Sequence, residues 1–152
     1  MTGLIFRRDT STVHAICTHL ERCSASFTPP LAERVDLADY AGRLFASAVR
    51  FEAWDGSRLV ALVAVYCNAP DRKVAFVSNV SVDTLYTRRG IARRLMEAAV
   101  SHTRGLWFDR LALEVDAGAA SALALYRALG FVKLEESGRI LTMHLDLRKE
   151  TA

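Results

Sequence analysis

Cysteine is scarce in this sequence: Cys17, Cys23 and Cys67 make an odd count and form no Cys-x-x-Cys pair. A disulfide framework is therefore not what organises the fold, and a cysteine-built zinc site is not expected. The four histidines are scattered. His14 and His19 lie five apart, not the four that sets two ligands on one helical face, so no metal is expected. Long apolar runs are missing too. Arg, Asp or Asn interrupts each before it reaches membrane-spanning length, which argues against a membrane partner. The segment from Met1 to Arg8 lacks the basic-then-apolar order of a secretion signal, so a cytoplasmic location is the expectation.

Repeats, low-complexity tracts and a second domain are likewise absent, and 152 residues fit one domain over 1–152. With 51% hydrophobic and 24% charged residues, the composition is that of a globular chain with a sizeable core. The formal charge of +3 favours anions mildly. It suits a nucleotide-like cofactor as well as weak RNA binding and does not separate them.

Residues 4–8 read as a short strand. Val13, Ile16, Cys17 and Leu20 then recur at i, i+3, i+4 and i+7, the face of a helix capped by Thr10 or Ser11. Ser24 to Pro30 is a break. Asp36 is placed to cap a second helix with Leu37, Tyr40, Ala41, Leu44, Phe45 and Ala48 on its apolar side. The period then changes. Val49–Trp54 and Leu59–Cys67 read as strands around an Asp55-Gly56 turn, a strong hairpin signal. Asn68–Asp71 is a further turn and Val74–Val82 a third strand of this group. Arg89–His102 returns to helical spacing, Leu111–Val115 is a strand, and Ala119–Leu129 is a helix stopped by Gly130. Phe131–Leu134 and Ile140–Leu147 are the last strands, around Glu136-Ser137-Gly138. The order β-α-α-β-β-β-α-β-α-β-β predicts an α/β (α+β) mixed sheet. Hairpins make it antiparallel, and the Arg89–His102 crossover makes it parallel.

The first chemical signal lies where the Val74–Val82 strand runs through a basic turn into the following helix. Free N–H groups at a helix N-terminus, with the helix dipole behind them, favour an anion. Gly90 permits a close approach, Ala92 is small, and Arg88, Arg89 and Arg93 add fixed charge. The segment is neither a Walker P-loop nor a three-glycine dinucleotide fingerprint. A basic first turn opposes the helix dipole, so these arginines do not serve helix stability. An Arg-rich surface turn is the competing reading.

Thr87-Arg88-Arg89-Gly90-Ile91-Ala92 resembles the coenzyme A loop of the GNAT superfamily, the Gcn5-related N-acetyltransferases, Gln/Arg-x-x-Gly-x-Gly/Ala. Thr87 departs at the first position, and Arg88 offers a replacement charge. A second stretch, Leu113 to Phe131, is similar to another signature of that family: a strand bearing Glu, then a helix ending Ala-x-x-Leu-Tyr-x-x-x-Gly-Phe. Ala122, Leu125, Tyr126, Gly130 and Phe131 match it. Together the two motifs cover about a third of the chain, in the family's order.

The resemblance implies an acetyl-CoA-dependent N-acetyltransferase that moves an acetyl group directly to a primary amine and releases coenzyme A. It implies that the loop from Arg88 to Arg93, with Gly90, Ile91 and Ala92 between, holds the pyrophosphate. Val80, Ser81 and Val82 would pair with the pantetheine arm. Tyr126 falls on the family's general acid. Glu114 falls on the base of the ribosomal-protein alanine acetyltransferases, with Glu52 or a water chain as alternatives. Glu52 interrupts an apolar strand, a costly place for a charge unless it is used or paired. Ala119 stands where the family often has an Asn that binds the cofactor arm. A degenerate fold that binds coenzyme A without catalysis is the alternative. An RNA-binding protein would want aromatics interleaved with Arg on a sheet face, which no strand here shows, so no nucleic-acid partner is expected. The acceptor, a small-molecule or peptide amine, is expected between Cys23–Pro30 and Glu135–Arg139. The family often pairs as homodimers, though no interface is specified here.

Overall fold

The computed structural model describes residues 3–27 and 29–148. Seven strands form one sheet: β1 (Ile5–Arg8), β2 (Ala48–Asp55), β3 (Arg58–Tyr66), β4 (Val74–Val82), β5 (Arg110–Asp116), β6 (Val132–Ser137) and β7 (Ile140–Asp146). Their order across the sheet is β1-β2-β3-β4-β5-β7-β6. Each neighbouring pair is antiparallel except β4 and β5, which the crossover helix makes parallel. The mixed sheet expected from the sequence is the one found.

The helices are α1 (Val13–Cys23), α2 (Leu31–Arg34), α3 (Leu37–Ser47), α4 (Ile91–Gly105) and α5 (Ala120–Ala128). The one-turn α2, directly after the proline break, is an addition to the predicted order. Asp36 caps α3 as expected, accepting the Asp39 N–H at 3.0 Å. The cap of α1 is Thr12, which accepts from Ala15, whereas Thr10 and Ser11 are occupied elsewhere. Ala48 belongs to β2 and not to α3, and Phe45 is 49% exposed beneath the Arg50 guanidinium. The last hairpin turns on Gly138 and Arg139 alone, which lengthens β6 to Ser137.

The core has two layers. Ala61, Val63 and Val65 of β3 face α4, and Leu62 and Ala64 face α1 and α3. Covered on both sides, β3 reads in the sequence as an uninterrupted apolar run. Strand β4 does not stay in step with it. Val77 pairs with Val65 and Asn79 with Ala64, so Ser78 is an extra residue, a β-bulge. The bulge reverses the faces. Before it Ala75 and Val77 face α4; beyond it Val80 and Val82 do, and Asn79 and Ser81 turn toward α1. Tyr40 of α3 reaches the bulge and donates its hydroxyl to the Ser78 carbonyl at 3.0 Å, while the Ser78 hydroxyl lies 2.7 Å away.

At the bulge, β4 and β5 part. Their pairing runs from Val74–Arg110 to Val77–Leu113, yet β4 continues to Val82 and β5 to Asp116. Tyr40→Phe removes the hydroxyl that the Ser78 carbonyl accepts at that fork. We expect a loss of about 1–3 kcal/mol in urea unfolding with no change in slope. A midpoint equal to that of the parent would show that the contact does not hold the bulge.

Candidate functional site

A cavity of about 450 Å³ occupies the fork between β4 and β5. Val80, Ser81 and Val82 form one wall and Glu114 and Val115 another, with Tyr126 of α5 also lining it. Five of the residues singled out from the sequence, Val80, Ser81, Val82, Glu114 and Tyr126, are thus brought together. Beyond Val77 the β4 edge turned away from β3 has no strand partner among the described residues, so its backbone groups are available to an extended ligand.

The remaining candidates, Arg88 to Arg93, are not among the residues that line the cavity; they form the turn into α4. Gly90 is the N-cap of α4, with φ +73° and no side-chain cap, which leaves first-turn N–H groups open. Nothing lies within 4 Å of where a Gly90 Cβ would sit. Ile91 buries its side chain in the core and offers only its backbone. Arg89 lies over the Tyr86 ring, whose hydroxyl binds Asp55, and Arg93 pairs with Glu97 at 3.5 Å. This terminus has the chemistry of an anion cradle.

Tyr126 is held from its backbone. Phe131 N–H donates to the Tyr126 carbonyl and Gly130 N–H to Arg127, both at 3.0 Å, with Gly130 at φ +101°. This is a Schellman cap, and the Tyr126 and Phe131 rings pack 6.0 Å apart as its apolar contact. The Gly-Phe of the sequence signature therefore fixes where the tyrosine points. Burial raises the phenol to about 12, and the hydroxyl makes no hydrogen bond to a described residue, so it is a protonated donor turned to the cavity.

The two neighbouring carboxylates differ. Glu114 is exposed and makes no ion pair with a described residue. Asp116 is bound by Arg139 at 2.9 Å and by Gly118 N–H at 2.7 Å, and Arg139 foremost keeps its pKa low.

Glu52, the alternative base, lies elsewhere, fully buried against the start of α1. It accepts from the backbone and hydroxyl of both Thr10 and Ser11 and from the Trp54 indole, five donors against about four lone-pair sites. Burial pushes its pKa up, but the Ser11 and Thr10 hydrogen bonds outweigh that and hold the carboxyl below its ordinary value. No lone pair is left for an amine. Glu52 is a structural carboxylate.

His19 was not among the predicted site residues. Its ring is fully buried beneath the cavity, with Nε2 2.8 Å from Ser81 Oγ. Ser81 gives its proton to Asn79 Oδ1 at 2.7 Å, so His19 Nε2–H must donate to Ser81. The parity slip, from apolar Ala75 and Val77 to Val80 and Val82, was the signal that Asn79 and Ser81 face α1.

A profile of the acetyltransferase (GNAT) family matches residues 13–131. The chain belongs to this family. Over 57 residues it is 40% identical to the [ribosomal protein bS18]-alanine N-acetyltransferase of Escherichia coli strain K12, a match spanning 38% of each chain. In fold it is similar to the ribosomal-protein-S18-alanine N-acetyltransferase of Escherichia coli, with TM-score 0.78, 22% identity and coverage of 98% of this chain and 97% of that one. It is also similar to the PaiA N-acetyltransferase of Thermoplasma acidophilum in complex with coenzyme A, with TM-score 0.75, 15% identity and 95% and 99% coverage.

Burial and then Arg22 lower His19 from 6.5 to about 4. The folded protein keeps it neutral while the unfolded chain protonates it near 6.5, so stability is complete above that value and falls as pH drops toward 4. His102, lowered by burial and then Arg8, acts in the same direction. We expect urea unfolding to show about 2 kcal/mol lost between pH 7.5 and pH 5. Flat stability over that range would mean that His19 is charged in the folded state.

Proposed function

We propose that this protein transfers an acetyl group from acetyl-CoA directly to a primary amine of a small molecule or peptide. The observation that carries the reading is the fork of β4 and β5, which puts a protonated phenol and an unpaired carboxylate beside an open strand edge. The cradle fits the cofactor: a glycine with open space before it, free first-turn N–H groups, and basic residues around them. When bound, acetyl-CoA supplies the acyl group as a thioester.

In this reading Val80, Ser81 and Val82 hold an extended arm by backbone pairing. The turn from Arg88 to Arg93 takes the pyrophosphate through the N–H groups of Ile91 and Ala92. Glu114 accepts the proton of the attacking amine, directly or through water. Tyr126 donates its hydroxyl hydrogen bond to the departing sulfur. A phenol near 12 facing a thiol near 8.5 makes full proton transfer uphill by roughly 5 kcal/mol. Tyr126 therefore works chiefly as a hydrogen-bond donor to the developing charge. Ala119 heads α5 without a side-chain cap and lines the cavity, so no amide is offered there.

Thiol-release kinetics with an accepted amine test the assignment. Tyr126→Phe should lower kcat by about 10- to 100-fold, the low end of general-acid effects, with coenzyme A affinity nearly constant. Glu114→Gln should cut kcat/KM near pH 7 and recover as rising pH frees more neutral amine. A Tyr126→Phe enzyme at parental rate would make the tyrosine a packing residue. A Glu114→Gln enzyme with the parental pH profile would leave proton removal to water.

A further inference from the structure

Three charged side chains line the cavity: Arg34, Glu114 and Asp116. Asp116 is already matched by Arg139 at 2.9 Å. Arg34 and Glu114 form no ion pair with any described residue. They approach from different walls, Arg34 from α2 and Glu114 from β5. The Arg34 guanidinium lies 5.8 Å from the centre of the Phe27 ring, itself a cavity residue. Arg34 is exposed, and that contact ties its guanidinium to a cavity wall that stays open to solvent. Phe76 adds a second aromatic residue to the lining.

A guanidinium with no carboxylate beside it repels an incoming ammonium ion. A simple cationic amine satisfies Glu114 and leaves Arg34 facing it. An acceptor whose amine sits at Glu114 and whose anion reaches Arg34 matches both walls, and the guanidinium fork takes carboxylate or phosphate through two hydrogen bonds. We propose that the acceptor is a primary amine that also carries a carboxylate or phosphate, and that Arg34 binds this anion. The proposal rests on the amine-acetylating reading of the same cavity.

Paired acceptors with and without the anion test it, each rate referred to the concentration of neutral amine because the amide is the less basic: phenylalanine against phenylalaninamide for the carboxylate, and glucosamine 6-phosphate against glucosamine for the phosphate. With acetyl-CoA saturating, at least one pair should favour the anionic member by roughly tenfold or more in kcat/KM, expressed mainly in KM. In Arg34→Gln that ratio should fall to near one, with Arg34→Lys between. Ratios near one in the parent, or equal losses for both members of a pair in Arg34→Gln, would overturn the proposal while the acetyltransferase reading stands. If no amine is acetylated, calorimetric titration of the two anionic amines into the coenzyme A-loaded protein decides the matter. Binding that Arg34→Gln weakens supports the anion site although the catalytic reading has failed, and absence of binding overturns both.

Discussion

The extra residue in β4, Ser78, puts a half-buried backbone carbonyl at the step in the ladder, beside the cavity. Leaving such a group buried and unpaired costs about 1–3 kcal/mol. The Tyr40 hydroxyl takes that carbonyl, so the bulge at Ser78 can persist inside the protein. Much follows from its persistence. The bulge bends the strand and reverses its faces, and there β4 parts from β5. Asn79 and Ser81 turn to α1, where His19 donates to Ser81 and Ser81 in turn to Asn79, and Val80 and Val82 line the fork. Without the extra residue, Asn79 and Ser81 would share the face of Ala75 and Val77 and bring polar groups into the α4 core.

Ionisable groups near the sheet divide sharply into spent and unspent. Glu52 is saturated by five donors and Asp116 is neutralised by Arg139. Asp83 takes Arg22 at 3.2 Å and Arg58 at 2.8 Å. Glu114, Arg34 and the Tyr126 hydroxyl have no such partners among the described residues. A buried charge is tolerated only when matched, so the matched groups serve the scaffold. The unmatched three line the cavity between β4 and β5, where a ligand can match them.

Strong periodicity made most of the fold legible. The hairpin at Asp55-Gly56, the caps at Asp36 and Gly130, and the two-sided apolar run of β3 were all written in local sequence. The bulge was legible only as a parity slip between Val77 and Val80, easily read as one continuous strand. The start of α1 was misplaced because Thr10, Ser11 and Thr12 are equally good caps by residue type. What separates them is Glu52, some forty positions on, which occupies the first two. The same contact explains why Glu52 looked like a base: a lone acid in an apolar strand signals necessity without saying whether the need is chemical or structural. Arg34 left no trace in the sequence, since an arginine on one turn of helix resembles any surface residue until the chain folds it beside Phe27.

The Schellman cap has a consequence for how such an enzyme can diversify. It anchors Tyr126 to Gly130 and Phe131, and β5 delivers Glu114 to the same cavity, so the contiguous stretch from Glu114 to Phe131 carries both groups for which a reactive role is proposed. Arg34 and Phe27, on the opposite wall, come from a distant stretch of chain that makes no part of that cap. On the proposed roles, selection can rewrite the α1–α2 region, exchanging one acceptor for another, without disturbing the cap that holds Tyr126. Insertions should accumulate in the first of these segments and be purged from the second, where one added residue would turn Tyr126 about 100° around the helix axis and out of the cavity.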